Sequence, residues 1–117
     1  MSKQPFMSYL ETFRLRSGFS KAELAFLLGA MDGKTIRRHE RGTRLPRLNT
    51  AIGYGLILEA SIEQLYEGLA IEVHERVRSH ARGLRRRLER CPATLRNKRK
   101  IDILARLATE RINATRQ

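Results

Sequence analysis

Helix-start and helix-stop signals cut the first half of this chain into pieces too short for anything but a bundle of small helices. Ser20-Lys21-Ala22-Glu23 is a capping box: the Ser20 hydroxyl can accept from the backbone amide of Glu23 while the carboxylate reaches back to the amide of Ser20. Ser61-Ile62-Glu63-Gln64 repeats the device. Between them, Gly29 and Gly42 are placed to end helices, and Asp32 is placed to cap one that runs to about Arg41. Apolar spacing fills in the faces. Tyr9, Leu10, Phe13 and Leu15 line a first helix that stops at Ser17-Gly18, and Leu24, Leu27 and Leu28 line the second. Pro46 marks the start of a fourth helix, whose Leu48, Ile52 and Leu56 at i, i+4 and i+8 are expected to face the core. Five short helices and no convincing strand result.

Charge separates this half from the rest. Of the 117 residues, 24 are Lys or Arg and 12 Asp or Glu, a net charge of +12 that favours a polyanionic partner, most simply nucleic acid. Residues 1–68 hold ten basic and seven acidic side chains, whereas residues 69–117 hold fourteen and five. The absence of Trp and the 6% aromatic content count against a platform for stacking unpaired bases. A single cysteine, Cys91, excludes an intrachain disulfide. With His39, His74 and His80 scattered, no zinc spacing exists, and no metal or cofactor is expected. The histidines are read as solvated or packed. No run is apolar enough for a membrane span, and the opening residues lack the apolar stretch of a secretion signal, so a cytoplasmic protein with no membrane partner is expected.

Two short helices joined by a glycine-containing turn, the second bearing Lys and Arg near its start, form a geometry that can lay a helix in the DNA major groove. Phe13-Arg14, the run from Ser20 to Gly29, Thr35-Ile36-Arg37-Arg38-His39-Glu40-Arg41-Gly42, Leu45-Pro46-Arg47-Leu48 and Ser61-Ile62-Glu63-Gln64-Leu65 together resemble the XRE family, the Cro/C1-type helix-turn-helix of phage repressors and many bacterial regulators. The resemblance covers roughly residues 8–68. It implies an all-α chain: a five-helix, lambda-repressor-like DNA-binding bundle over 1–68, followed by a basic helical hairpin over 69–117. One departure stands out, because the segment from Gly29 to Ile36 is a residue longer than the family pattern and leaves the register of the recognition helix's first turn open.

Site residues follow from the resemblance. Gly33, Lys34, Arg37 and Arg38 fall along the exposed face or leading turn of the recognition helix, at about 32–41. Lys34 and Arg38 are four apart and share a face, and an arginine can fork onto guanine O6 and N7. Arg38 is the principal base-reading candidate; Arg37 is equally suited to phosphate. Phosphate contacts are expected from Lys21, Thr35, Arg41, Thr43 and Arg44, which orient without specifying sequence. Arg14 and Glu40 match the positions of a buried charge pair, and Ala25 is small where the two helices of the motif cross.

Beyond residue 68 the reading rests on periodicity alone. Val73, Val77, Ala81, Leu84 and Leu88 are spaced 4, 4, 3 and 4, a heptad-like stripe that wants a partner. Cys91-Pro92 then breaks the helix, and Ile101, Leu104, Ala108 and Ile112 line a last one. Together these nine residues suggest a helical hairpin that either closes on the N-terminal bundle or pairs with a second subunit; the dimer surface is favoured, since a homodimer reads two half-sites about 34 Å apart. The rival uses of this basic half are contact with a nucleic-acid backbone, an acidic protein partner, or plain solvation. The favoured function is a sequence-specific regulator, a dimeric repressor on an inverted-repeat double-stranded DNA operator. The alternatives are an antitoxin-type protein that controls its own promoter and binds a partner through 69–117, and an RNA-binding protein using the arginine-rich half. An enzyme is not expected: the sequence offers no nucleophile beside a base, no carboxylate pair and no metal set.

Overall fold

In a computed structural model, which describes residues 6–29 and 31–109, the chain is all-helical, with seven helices and no strand among those residues. They are α1 (Leu10–Ser17), α2 (Lys21–Leu28), α3 (Gly33–Arg41), α4 (Leu48–Leu58), α5 (Ile62–Leu65), α6 (Glu67–Leu88) and α7 (Leu95–Thr109). Two compact units divide the chain near residue 69.

The first unit is built around a core of Leu10, Leu24, Ala25, Ile36, Tyr54, Leu58, Leu65 and Tyr66. Burying each of the large apolar side chains stabilises the unit by about 1.5–3 kcal/mol. Local signals set most of the helix ends. Ser20 accepts from the Glu23 amide at 3.0 Å while the Glu23 carboxylate takes the Ser20 N–H at 2.9 Å, and Ser61 and Gln64 reproduce both bonds. Asp32 caps α3 by accepting the Thr35 N–H at 2.9 Å, which fixes the register of that helix with Gly33 as its first residue. Gly42 ends it at φ +74°, pressed so closely on the Phe6 backbone that a Cβ there would overlap the Phe6 carbonyl oxygen.

Two core expectations and one helix start are corrected. Leu48, Ile52 and Leu56 are 77%, 64% and 79% exposed, and α4 buries Ala51, Tyr54 and Leu58 instead. This helix is apolar almost all round, so its period does not choose a face. Tertiary contacts choose it, through the Tyr54 hydroxyl bonded to His39 and Gly53 lying against Leu28. Leu15 and Leu27 are also exposed, because the short helices α1 and α2 cover the core with Leu10 and Phe13 and with Leu24, Ala25 and Leu28. Finally, α4 begins at Leu48 with Arg47 as its N-cap, two residues beyond Pro46.

The second unit holds most of α6, together with α7. Leu107 lines a small cavity with Val73, His74 and Val77, so α7 doubles back along α6. Of the residues read as a dimer stripe, Ala81 and Leu104 are buried, Leu88, Ile101 and Ala108 are half-buried, and Val73, Val77 and Leu84 keep more than a third of their surface. Ile112 lies outside the described residues. Among the described residues, no helix is long and apolar enough to cross a membrane.

Candidate nucleic-acid interface

Helix α3 has two faces of opposite character. Ile36, His39 and Glu40 are buried, while Lys34, Arg37, Arg38 and Arg41 are exposed. Helical geometry accounts for the split: at 100° per residue, positions 36, 39 and 40 share one side and 34, 37, 38 and 41 the other. The outer face therefore carries four cations, and the helix's own carboxylate, Glu40, is turned inward.

Three polar clamps hold the inner face. Arg14 of α1 donates through Nε to Glu40 Oε2 at 2.5 Å and through Nη2 to Oε1 at 3.4 Å, with its Nη1 on the Phe19 carbonyl at 3.0 Å. Both members of this pair are buried, so it fixes geometry more surely than it adds stability. His39 Nδ1 meets the Tyr54 hydroxyl of α4 at 2.7 Å, with the rings edge to face. Tyr66, just after α5, donates its hydroxyl to the His39 carbonyl at 2.6 Å. Burial, helped by the Arg44 charge, holds the His39 imidazole below its ordinary pKa and so keeps it neutral. Burial likewise lifts the phenols of Tyr54 and Tyr66 well above the usual range, leaving both protonated.

The front of the helix is organised by Asp32. Its carboxylate accepts the backbone N–H and the hydroxyl of Thr35, both at 2.9 Å, and these bonds, with Lys34 and Arg38 nearby, keep its pKa low. A Cβ on Gly33 would lie 3.6 Å from the Lys21 Cβ. Lys21, in the first turn of α2, thus stands beside the leading turn of α3.

At the far end, an open hollow lined by Thr35, His39, Arg44, Arg47, Asn49 and Thr50 separates α3 from the start of α4. Arg47, Asn49 and Thr50 were not singled out from the sequence; the signal available was the unpaired cation at a helix start. Thr35 and Thr43, expected among the phosphate contacts, already use their donors within the chain. Thr35 spends both donors on Asp32, and Thr43 spends its N–H and hydroxyl on the Arg38 carbonyl, at 3.1 and 3.3 Å. Each threonine closes an end of α3.

Lys34, Arg37, Arg38 and Arg41 thus share the outer face of α3, with Lys21 beside its leading turn, Arg44 at the hollow between α3 and α4, and Gly33 contributing backbone alone. Among the described residues, no cluster of His, Cys, Asp or Glu could hold a metal ion. No family model matches the chain, and neither does any curated protein or solved structure.

Proposed function

We propose that this chain is a sequence-specific double-stranded DNA-binding regulator of the Cro/C1 helix-turn-helix type, with α3 as its recognition helix. One observation carries the reading: a helix clamped from behind by Arg14, Tyr54 and Tyr66 turns Lys34, Arg37, Arg38 and Arg41 to solvent on a single face. Rigid presentation matters because base readout needs donors held to a fraction of an ångström, and a guanidinium fork then matches the guanine edge.

Roles divide along the surface. Arg38 reads guanine with Lys34 on the same face, Arg37 serves base or phosphate, and Lys21, Arg41 and Arg44 grip the backbone. Asp32, Thr35 and Thr43 hold the helix ends. The chain acts by occupying an operator in the cytoplasm as a homodimer, the incompletely covered stripe of Val73, Val77 and Leu84 supplying apolar surface for pairing.

Selection of bound duplexes from a random pool is the test, and an enriched inverted repeat is the expected product. On that repeat Arg38→Ala lowers affinity by about 1–3 kcal/mol and relaxes preference at one base pair. A titration in which discrimination survives Arg38→Ala removes the residue from readout. A pool with no enriched sequence removes the reading itself.

A further inference from the structure

Charge in the second unit is gathered at one end. Residues 85–100, the last turn of α6, the connection and the first turns of α7, hold eight basic side chains and one acidic. The remainder of the described unit, residues 70–84 and 101–109, holds four basic and three acidic. The single carboxylate of the basic end, Glu89, is paired with Arg85 at 3.1 Å, and the other seven cations are exposed.

This end is also rigidly built. Thr94 caps α7 by accepting the Asn97 N–H at 3.1 Å, and the Asn97 side chain returns to the Pro92 carbonyl at 2.8 Å. On the α6 side, the Arg90 and Cys91 amides close onto the Arg87 and Leu88 carbonyls. The cations therefore project from a fixed turn.

Their placement works against the helix that carries them. No acidic residue occupies the first turn of α7, while Arg96 and Lys98 stand there, at the positive end of the helix dipole. Arg99 and Lys100 then put like charges at i+3 and i+4 from Arg96, an arrangement that weakens a helix. A solvated face gains nothing from this pattern, whereas an external polyanion reverses its sign.

We infer that the connecting end of the α6–α7 hairpin is a second, sequence-independent site for the phosphate backbone of duplex DNA. Two observations select the occupant. Residues 67–117 contain no Phe, Tyr or Trp, so unpaired bases find no stacking surface. Leu95 is the one large exposed apolar side chain at this end, too little for the apolar centre of a protein interface. The choice of DNA over a double-stranded RNA rests on the reading of α3 given above.

Salt dependence tests it, because each phosphate neutralised adds about −0.9 to the slope of log affinity against log salt. The probes are a random-sequence DNA duplex, an RNA duplex of equal length and polyglutamate, titrated with the full chain. Replacing Arg96→Gln, Lys98→Gln, Arg99→Gln and Lys100→Gln together is expected to flatten the DNA slope by about 2–4 units. The same change weakens binding at least tenfold at low salt, and the variant melts no lower than the parent, since repulsion has been removed. Arg96→Lys with Arg99→Lys keeps the parental slope. An unchanged slope in the glutamine variant overturns the inference, as does a parent chain that prefers the RNA duplex or polyglutamate to DNA. The two readings separate cleanly: loss of slope without any base preference sinks α3 and leaves the hairpin site, while base preference with an unaltered slope does the reverse.

Discussion

Residues 6–69 and 70–109 are both helical and both basic, yet they spend their side chains differently. The first unit encloses a core of eight residues and adds three buried polar groups, Arg14, His39 and Glu40, all on or against α3. In the second, Ala81 and Leu104 are the buried residues among those described, and the ion pairs Arg76–Glu72 and Arg85–Glu89 lie at the surface. Polar groups inside the first unit must be satisfied by partners from distant parts of the chain, and each such bond constrains where α3 lies. The polar bonds of the second unit are local ones at its surface, the i,i+4 ion pairs and the cap of α7, and they tie together near neighbours in sequence rather than distant elements. Definition of one helix thus comes in the first unit from buried chemistry, whereas the second carries its charge on exposed positions.

The largest test sets a buried pair against an exposed one. Glu40→Ala leaves the Arg14 guanidinium buried without its carboxylate and is expected to cost about 3–5 kcal/mol in denaturant unfolding. Glu89→Gln, which removes the exposed partner of Arg85, is expected to cost less than about 1 kcal/mol. Similar losses from the two variants would erase the distinction between the units. A double replacement, Arg14→Met with Glu40→Leu, should recover most of the loss while leaving α3 less precisely held.

Acid provides the next. His39 is buried neutral, with a pKa below the imidazole value of the unfolded chain, about 6.5. Above that pH neither state is protonated and stability does not change on this account. As pH falls through 6.5, the unfolded chain takes up a proton that the folded one refuses, so stability falls until the folded imidazole itself protonates. The slope in this window is at most about 1.4 kcal/mol per pH unit. Urea midpoints at pH 7.5, 6.5 and 5.5 should show this decline in the parent and a flatter profile in His39→Gln. The Asp32 carboxylate acts in a separate window: its lowered pKa adds stability that is lost only when pH falls below the ordinary carboxylate range. A parental profile level from pH 7.5 to 5.5 would mean that His39 is not held neutral by burial.

The features legible in sequence are those whose cause is local. Ser20, Ser61 and Asp32 bond to amides three residues away, so a short window contains both the signal and its partner. The same holds for Gly42 at positive φ and for the shared face of Lys34 and Arg38, four residues apart, whereas the full exposed row with Arg37 and Arg41 is seen only once the buried side of α3 is known. The Arg14–Glu40 pair spans 26 residues and was reachable only through a family resemblance. Tyr54 and Tyr66 were missed because their partners lie 15 and 27 residues away and a tyrosine in a helical pattern carries no mark of its hydroxyl's destination. Thr35 and Thr43 show the converse: their sequence neighbourhood suggests phosphate contacts, and what it does not reveal is that each hydroxyl also bonds to its own helix end.

The smallest expected effect bears on the face of α4. Residues 48–58 contain no charge, and two apolar registers compete within them, Leu48, Ile52 and Leu56 against Ala51, Tyr54 and Leu58. If the second register is inside, Ile52→Ser removes little that is packed and should change the stability of dilute protein by no more than about 0.5 kcal/mol. Leu58→Ala should cost about 2–5 kcal/mol, because it opens a cavity beside Tyr54 that the clamp on His39 cannot relax to fill. An inverted result, with Ile52→Ser the more damaging, would rotate α4 by roughly a third of a turn. It would also take the Tyr54 hydroxyl off His39, and α3 would lose the middle of its three supports.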